Sequence, residues 1–140
     1  MPTEITFRKT AESLDRDILY DWIAADPEHS AKGMTPDFFY APDIFAVALD
    51  NGTTPGLYVR LDPETAGTVR LHIQFGTNRR VSAITMVKAW PTFLQTVKAA
   101  GKVSRLIFES VSPPLIAFCK RRFGFTQVGT TNDYELLLEN

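Results

Sequence analysis

Between Val69 and Phe125 the hydrophobic rhythm of the chain changes from period two to a helical period and back, and that change limits the fold more than any other feature. Val69-Arg70-Leu71-His72-Ile73-Gln74-Phe75 alternates apolar and polar residues, as a half-buried strand does, and stops at Gly76-Thr77-Asn78. A basic turn, Arg79-Arg80, follows. From Ser82 the pattern is helical: Ile84, Val87, Trp90 or Pro91, Leu94 and Val97 recur at three- and four-residue spacing until Gly101 ends the run. Arg105-Leu106-Ile107-Phe108-Glu109 is short and β-prone. Ser110-Val111-Ser112-Pro113-Pro114 then leads into a helix from Leu115 to Arg122, with proline placed where a helix start tolerates it, and Gly124-Phe125 closes the stretch.

The rest of the chain frames that unit. Ile5 to Lys9 alternates and predicts a first strand. The helix that follows carries its apolar positions at Leu14, Ile18, Leu19, Trp22 and Ile23, and Ala24-Ala25-Asp26-Pro27-Glu28 breaks it. Phe38-Phe39-Tyr40 forms an aromatic cluster, which reads either as core packing between a helix and the sheet or as one wall of a pocket. Ile44 to Leu49 and Gly56 to Leu61 flank a turn at Asp50 to Pro55 and predict a hairpin, and Asp62 to Gly67 turns the chain into the Val69 strand. Thr126 to Val128 and Tyr134 to Leu138 predict a closing strand pair. Strand, helices, three consecutive strands, helix, strand, helix and a strand pair give an α/β domain over residues 1–140. Its central sheet is expected to be mixed but mostly antiparallel, with helices on both faces.

Composition narrows the function classes. With 140 residues, 44% hydrophobic and 22% charged, the chain is that of a globular protein able to bury a core. Lys plus Arg is 15 against 16 Asp plus Glu, which gives no reason to expect nucleic acid or a membrane surface as partner. Cys119 is the single cysteine and has no partner for an internal disulfide; with no apolar run of membrane-spanning or signal-peptide length, a cytoplasmic protein is expected. Asp15, Asp17 and Asp21 read as a solvated helix face without metal-ligand spacing, and His29 as an isolated loop histidine. No zinc pattern, nucleophile elbow or nucleotide-type glycine loop occurs, so no metal is expected.

The most specific local signal is Ser112-Pro113-Pro114-Leu115-Ile116-Ala117-Phe118-Cys119, followed by Lys120-Arg121-Arg122-Phe123 and Gly124-Phe125. In that spacing, and in element order over nearly the whole chain, the sequence resembles the GNAT acetyltransferase superfamily, whose corresponding helix often begins Asn-x-x-Ala-Ile-x-Leu-Tyr before a Gly-Phe. The resemblance implies acetyl-CoA or another acyl-CoA as cosubstrate and an amine-bearing small molecule or protein as acceptor; strand edges leave room for a homodimer. By the same resemblance, main-chain groups of Ile73, Gln74 and Phe75 hold pantetheine, Arg79, Arg80, Val81, Ser82 and Ala83 hold pyrophosphate, and Ser112 belongs to the cofactor side. Phe38, Phe39, Tyr40 and Tyr58 are its candidate acceptor wall.

Two positions depart from the family pattern. The family's turn, Arg or Gln-x-x-Gly-x-Gly or Ala, is represented by Arg79 to Ile84 or Arg80 to Thr85, neither with a glycine. Independently of the family, the open amides and dipole of a helix start favour a phosphate, and two arginines can add charge-assisted bonds. Cys119 stands where the family has the tyrosine that protonates the leaving thiolate, so it reads either as that acid or as a buried inert thiol. His72 and Glu109 are the candidate bases, Glu109 favoured because a carboxylate between strand ends can be desolvated. The competing expectation is a GNAT-shaped protein without catalysis, in a binding or structural role such as a virion component.

Overall fold

Among the residues described, 6–40, 45–50 and 54–138 of a computed structural model, seven strands form one sheet with helices in the connections. In chain order the elements are β1 (Thr6–Arg8), α1 (Glu12–Ala24), α2 (Pro27–Ala31), a 3-10 turn (Pro36–Phe39), β2 (Phe45–Asp50), β3 (Thr54–Pro63) and β4 (Thr68–Phe75). There follow α3 (Arg79–Ala99), β5 (Arg105–Glu109), α4 (Pro113–Phe123), β6 (Thr126–Gln127) and β7 (Asp133–Leu137). The strand order is β1-β2-β3-β4-β5-β7-β6. β1–β2, β2–β3, β5–β7 and β6–β7 pair antiparallel, while β4 and β5, joined through α3, pair parallel as a crossover requires. The mixed, mostly antiparallel sheet is therefore present.

One boundary differs from expectation for a local reason, and one expected break carries more structure than the sequence suggests. α3 begins at Arg79 rather than Ser82. Asn78 starts it early: its Oδ1 accepts from the Val81 amide at 3.2 Å, the capping bond of a helix N-terminus. The presumed basic turn is thus the first helical turn. The predicted break at Ala24 to Glu28 is present, since α1 ends at Ala24, and the same residues also start a new helix, in which Asp26 accepts from the amides of Glu28 and His29 and Pro27 opens α2. The expected turn at Asp50 to Pro55 lies partly outside the described residues, and β2 and β3 pair on either side of it.

The fold gathers into two compact units, Met1–Arg60 with Ile73–Pro91, and Leu61–His72 with Thr92–Asn140. In the first, Leu19, Ile23, Phe39 and Tyr58 form a buried cluster against which Ile18, Trp22, Met34, Phe38 and Tyr40 pack. The apolar face read from α1 is right except at Leu14, which is exposed, because Asp15 takes the inward position. In the second, Phe108 lies edge-on to Phe125 and stacked on Tyr134. Gly124 ends α4 at φ 80°, a left-handed conformation that glycine adopts without strain, and its amide bonds back to Lys120.

Candidate functional site

The corner where β4 runs into α3 is held by one hydroxyl. Ser82, in the first turn of α3, is buried; its Oγ accepts from the Gly76 amide at 2.7 Å and donates to the Gly56 carbonyl at 2.7 Å. A serine at this place therefore fastens the helix start to the ends of β3 and β4. Close approach of backbone is required beside it: a Cβ at Gly56 would collide with the Thr85 side chain, and one at Gly76 would come within 2.8 Å of the Trp22 ring. Residues 82 and 83 are helical, so the positive backbone angles that only glycine adopts readily are not needed there. Arg79, Arg80 and Val81 are exposed at this corner. Gly76 gives its amide to Ser82 and Val81 gives its amide to Asn78, whereas Arg79 and Arg80 carry the first-turn amides that an α-helix leaves without an internal partner.

β4 does not have a solvated polar face. Arg70 is clasped by Glu64 at 2.6 Å and Asp133 at 2.9 Å, and these two carboxylates push its guanidinium pKa up, a fixed charge. His72 Nε2 lies 3.0 Å from Asp62 on β3. Gln74 is fully buried, and its amide nitrogen donates to the Phe75 carbonyl at 2.8 Å, the Trp22 carbonyl at 3.3 Å and Asp26 Oδ2 at 3.3 Å. Its Oε1 sits 2.6 Å from His29 Nδ1, and His29 is a further 3.3 Å from Asp26. His29 is therefore neither isolated nor in a loop. It belongs to α2 and is joined to the middle of the segment Ile73–Phe75. Sequence reasoning missed this group, and the signal was Asp-Pro-Glu, a helix start that turns the histidine in its first turn to a defined direction.

The other expected residues are placed as follows. Tyr58 and Phe39 have no exposed surface, so these members of the acceptor wall are core residues; Phe38 and Tyr40 are half-buried around the same cluster. The ring of Phe38 carries the Arg60 guanidinium 4.0 Å from its centre. Tyr58 donates to Asp15 at 2.7 Å, and burial first, then that bond, raise its pKa. Asp15, expected on a solvated face, is fully buried: Arg8 grips both its oxygens at 2.8 Å and the Ala11 amide adds another bond at 2.8 Å. Glu109 ends β5 exposed, so the desolvation that favoured it is missing. Cys119 is 1% exposed, and burial pushes its thiol up to about 12. Ser112 precedes α4 half-buried, without a side-chain capping bond, and its amide donates to Ser110 at 3.1 Å.

No protein-family model matches the sequence, and no curated protein does. Solved structures do. An acetyltransferase of the GNAT family from Staphylococcus aureus Mu50 superposes with a TM-score of 0.70 at 12% identity, over 97% of this chain and 100% of its own. This is the GNAT fold. A GCN5-related N-acetyltransferase from Brucella melitensis shares it at a TM-score of 0.66 and 16% identity, over 95% of this chain and 75% of its own. The aminoglycoside acetyltransferase AAC(6')-Ib, solved in complex with coenzyme A, does so at 0.67 and 16%, over 96% and 95%. The residues that the sequence resemblance assigned to a pyrophosphate turn, Arg79 to Ala83, form the start of α3 at this corner. Among the described residues no helix is long and apolar enough to cross a membrane, and no three acidic, histidine or cysteine side chains gather as a metal set.

Proposed function

We propose that this chain binds an acyl-CoA, acetyl-CoA in the first instance, and transfers its acyl group to a primary amine. The observation that carries the proposal is the β4–α3 corner of a GNAT fold, where two exposed arginines stand on the first-turn amides of a helix whose start is fixed by buried Ser82. A helix start of that kind favours a diphosphate through open N–H groups and the dipole, and the guanidinium groups of Arg79 and Arg80 add charge-assisted bonds. The parallel ladder between β4 and β5 covers Thr68, Val69 and Arg70, and β4 continues to Phe75. We assign the main chain of Ile73 to Phe75 to the pantetheine arm. Phe38 and Tyr40 remain the aromatic candidates for contact with the acceptor. We assign Cys119 to packing, since a thiol with its pKa at about 12 and almost no exposed surface is a poor proton donor to a departing thiolate.

A second reading, a GNAT-shaped binding or structural protein, draws on one feature of the same corner. The amides of Gly76 and Val81 are already engaged by Ser82 and Asn78, so the corner offers a phosphate fewer donors than an open glycine turn would. The two readings separate in a thiol-release assay with acetyl-CoA and a panel of aliphatic diamines, amino-acid amides and lysine peptides. Amine-dependent release of CoA is the result the enzyme predicts; no release with any amine supports the inactive form.

A further inference from the structure

We propose that His29 is the general base that takes the proton from the acceptor ammonium; this rests on the acyltransferase reading above. It starts from the orientation of Gln74. Three acceptors, the carbonyls of Trp22 and Phe75 and the carboxylate of Asp26, surround one end of its buried amide, so that end is the NH2 group. The other end is then the carbonyl oxygen, an acceptor only, and it lies 2.6 Å from His29 Nδ1. Nδ1 must carry the hydrogen. In the neutral ring this leaves the lone pair on Nε2, and among the described residues Nε2 has no hydrogen-bond partner. The ring keeps 14% of its side-chain exposure, and its Nδ1 edge is held by Gln74 and Asp26. The groups facing it are Asp26 from its own helix, the neutral Gln74 from β4 and the Phe39 ring at 6.4 Å.

Gln74 ties this base to the chemistry. It stands between Ile73 and Phe75, the strand segment assigned to the pantetheine arm, so the imidazole is one side chain away from that segment. Nε2 takes one proton from the ammonium and becomes part of an imidazolium. The freed nitrogen lone pair attacks the thioester carbonyl carbon; the C–N bond forms and the C–S bond breaks. The thiolate leaves as CoA-SH with the second proton of the amine nitrogen, and the imidazolium returns the first proton to water. Asp26 Oδ2 lies 3.3 Å from Nδ1, beside the Gln74 contact and not at Nε2, and acts as a positioning residue that holds the ring by its Nδ1 edge.

The test uses the wild-type chain, His29→Gln and His29→Ala, with CoA binding measured by calorimetry and acetyl transfer to the best primary amine of the panel followed from neutral to alkaline pH. Nitrogen-15 spectra of the imidazole in the wild type supply a readout that needs no turnover; the chain has 2 histidines, so assignment by mutation is direct. The expected results are the Nδ1–H tautomer, unchanged CoA affinity in both variants, a fall in kcat/KM of about 100-fold, loss of the acid-side limb of the pH profile, and partial rescue of His29→Ala by added imidazole. An Nε2–H tautomer, or a His29→Gln pH profile like that of the wild type, overturns the base and leaves the acyltransferase intact. Absence of CoA binding or of transfer in the wild type overturns both.

Discussion

Asp15 is the residue whose surroundings differ most from what its position in the sequence suggests, while Cys119 takes the buried alternative of its two readings. An Asp in an Asp-rich helix face is ordinarily solvated, and what turned this one inward is Arg8, seven residues earlier, together with a tyrosine from a distant strand; neither is visible as local spacing. Burial by itself would raise its carboxyl, but the bonds from Arg8, Ala11 and Tyr58 outweigh that and hold it below the usual carboxylate range. A depressed folded value means that the stabilisation is complete above the unfolded carboxyl's pKa of about 3.9 and fades as pH falls toward the folded value. Urea unfolding at stepped pH should show this loss in the wild type and a flatter acid profile in Asp15→Asn. That variant should itself be less stable near neutrality by about 3 kcal/mol, the cost of breaking a buried pair. Cys119 should behave as an inert thiol: with its pKa at about 12 it should not react with a disulfide reagent until denaturant is added, and Cys119→Ala should keep wild-type turnover. Rapid labelling of the native protein would restore a chemical role to it.

At the scale of elements, periodicity was a sound guide where one force dominates. The strand from Val69, the helix after it, the strand at Arg105 and the helix to Arg122 all form, although the buried faces follow the apolar spacing only in part: in α3 Ile84 is exposed while Ser82, Thr85, Met86 and Ala89 are buried, and β5 buries Leu106, Ile107 and Phe108 in succession. It was a poor guide to β4's polar positions, since Arg70, His72 and Gln74 are each engaged by residues from other elements. Those partners are fixed by tertiary packing, which a period-two pattern does not encode. The same limit applied to Ser82. It lies in a stretch that lacks the family turn's glycine, yet it occupies a helical position and ties two strand ends to α3. Ser82→Ala would remove a hydrogen bond from the buried Gly76 amide and another from the buried Gly56 carbonyl, and should lower unfolding stability by about 2 kcal/mol in chemical denaturation. A change below a few tenths would show that water replaces the hydroxyl.

For the molecule as a whole, element order was enough to name the fold, and superposition on GNAT acetyltransferases at 12–16% identity agrees with it. The candidate site was only half legible. The half proposed to bind the anion, Arg79 and Arg80 after a strand, is local in sequence; the half proposed to transfer the proton joins His29 to Gln74 across 45 positions and needed the fold to appear. The central claim is that the β4–α3 corner binds the diphosphate of an acyl-CoA. Isothermal titration with CoA, for the wild type and for the Arg79→Ala, Arg80→Ala double variant, tests it most directly. Binding in the wild type that weakens by about tenfold or more in the double variant, as the loss of two charge-assisted contacts implies, is the predicted result. Equal affinity in both proteins, or no heat from the wild type, would contradict it.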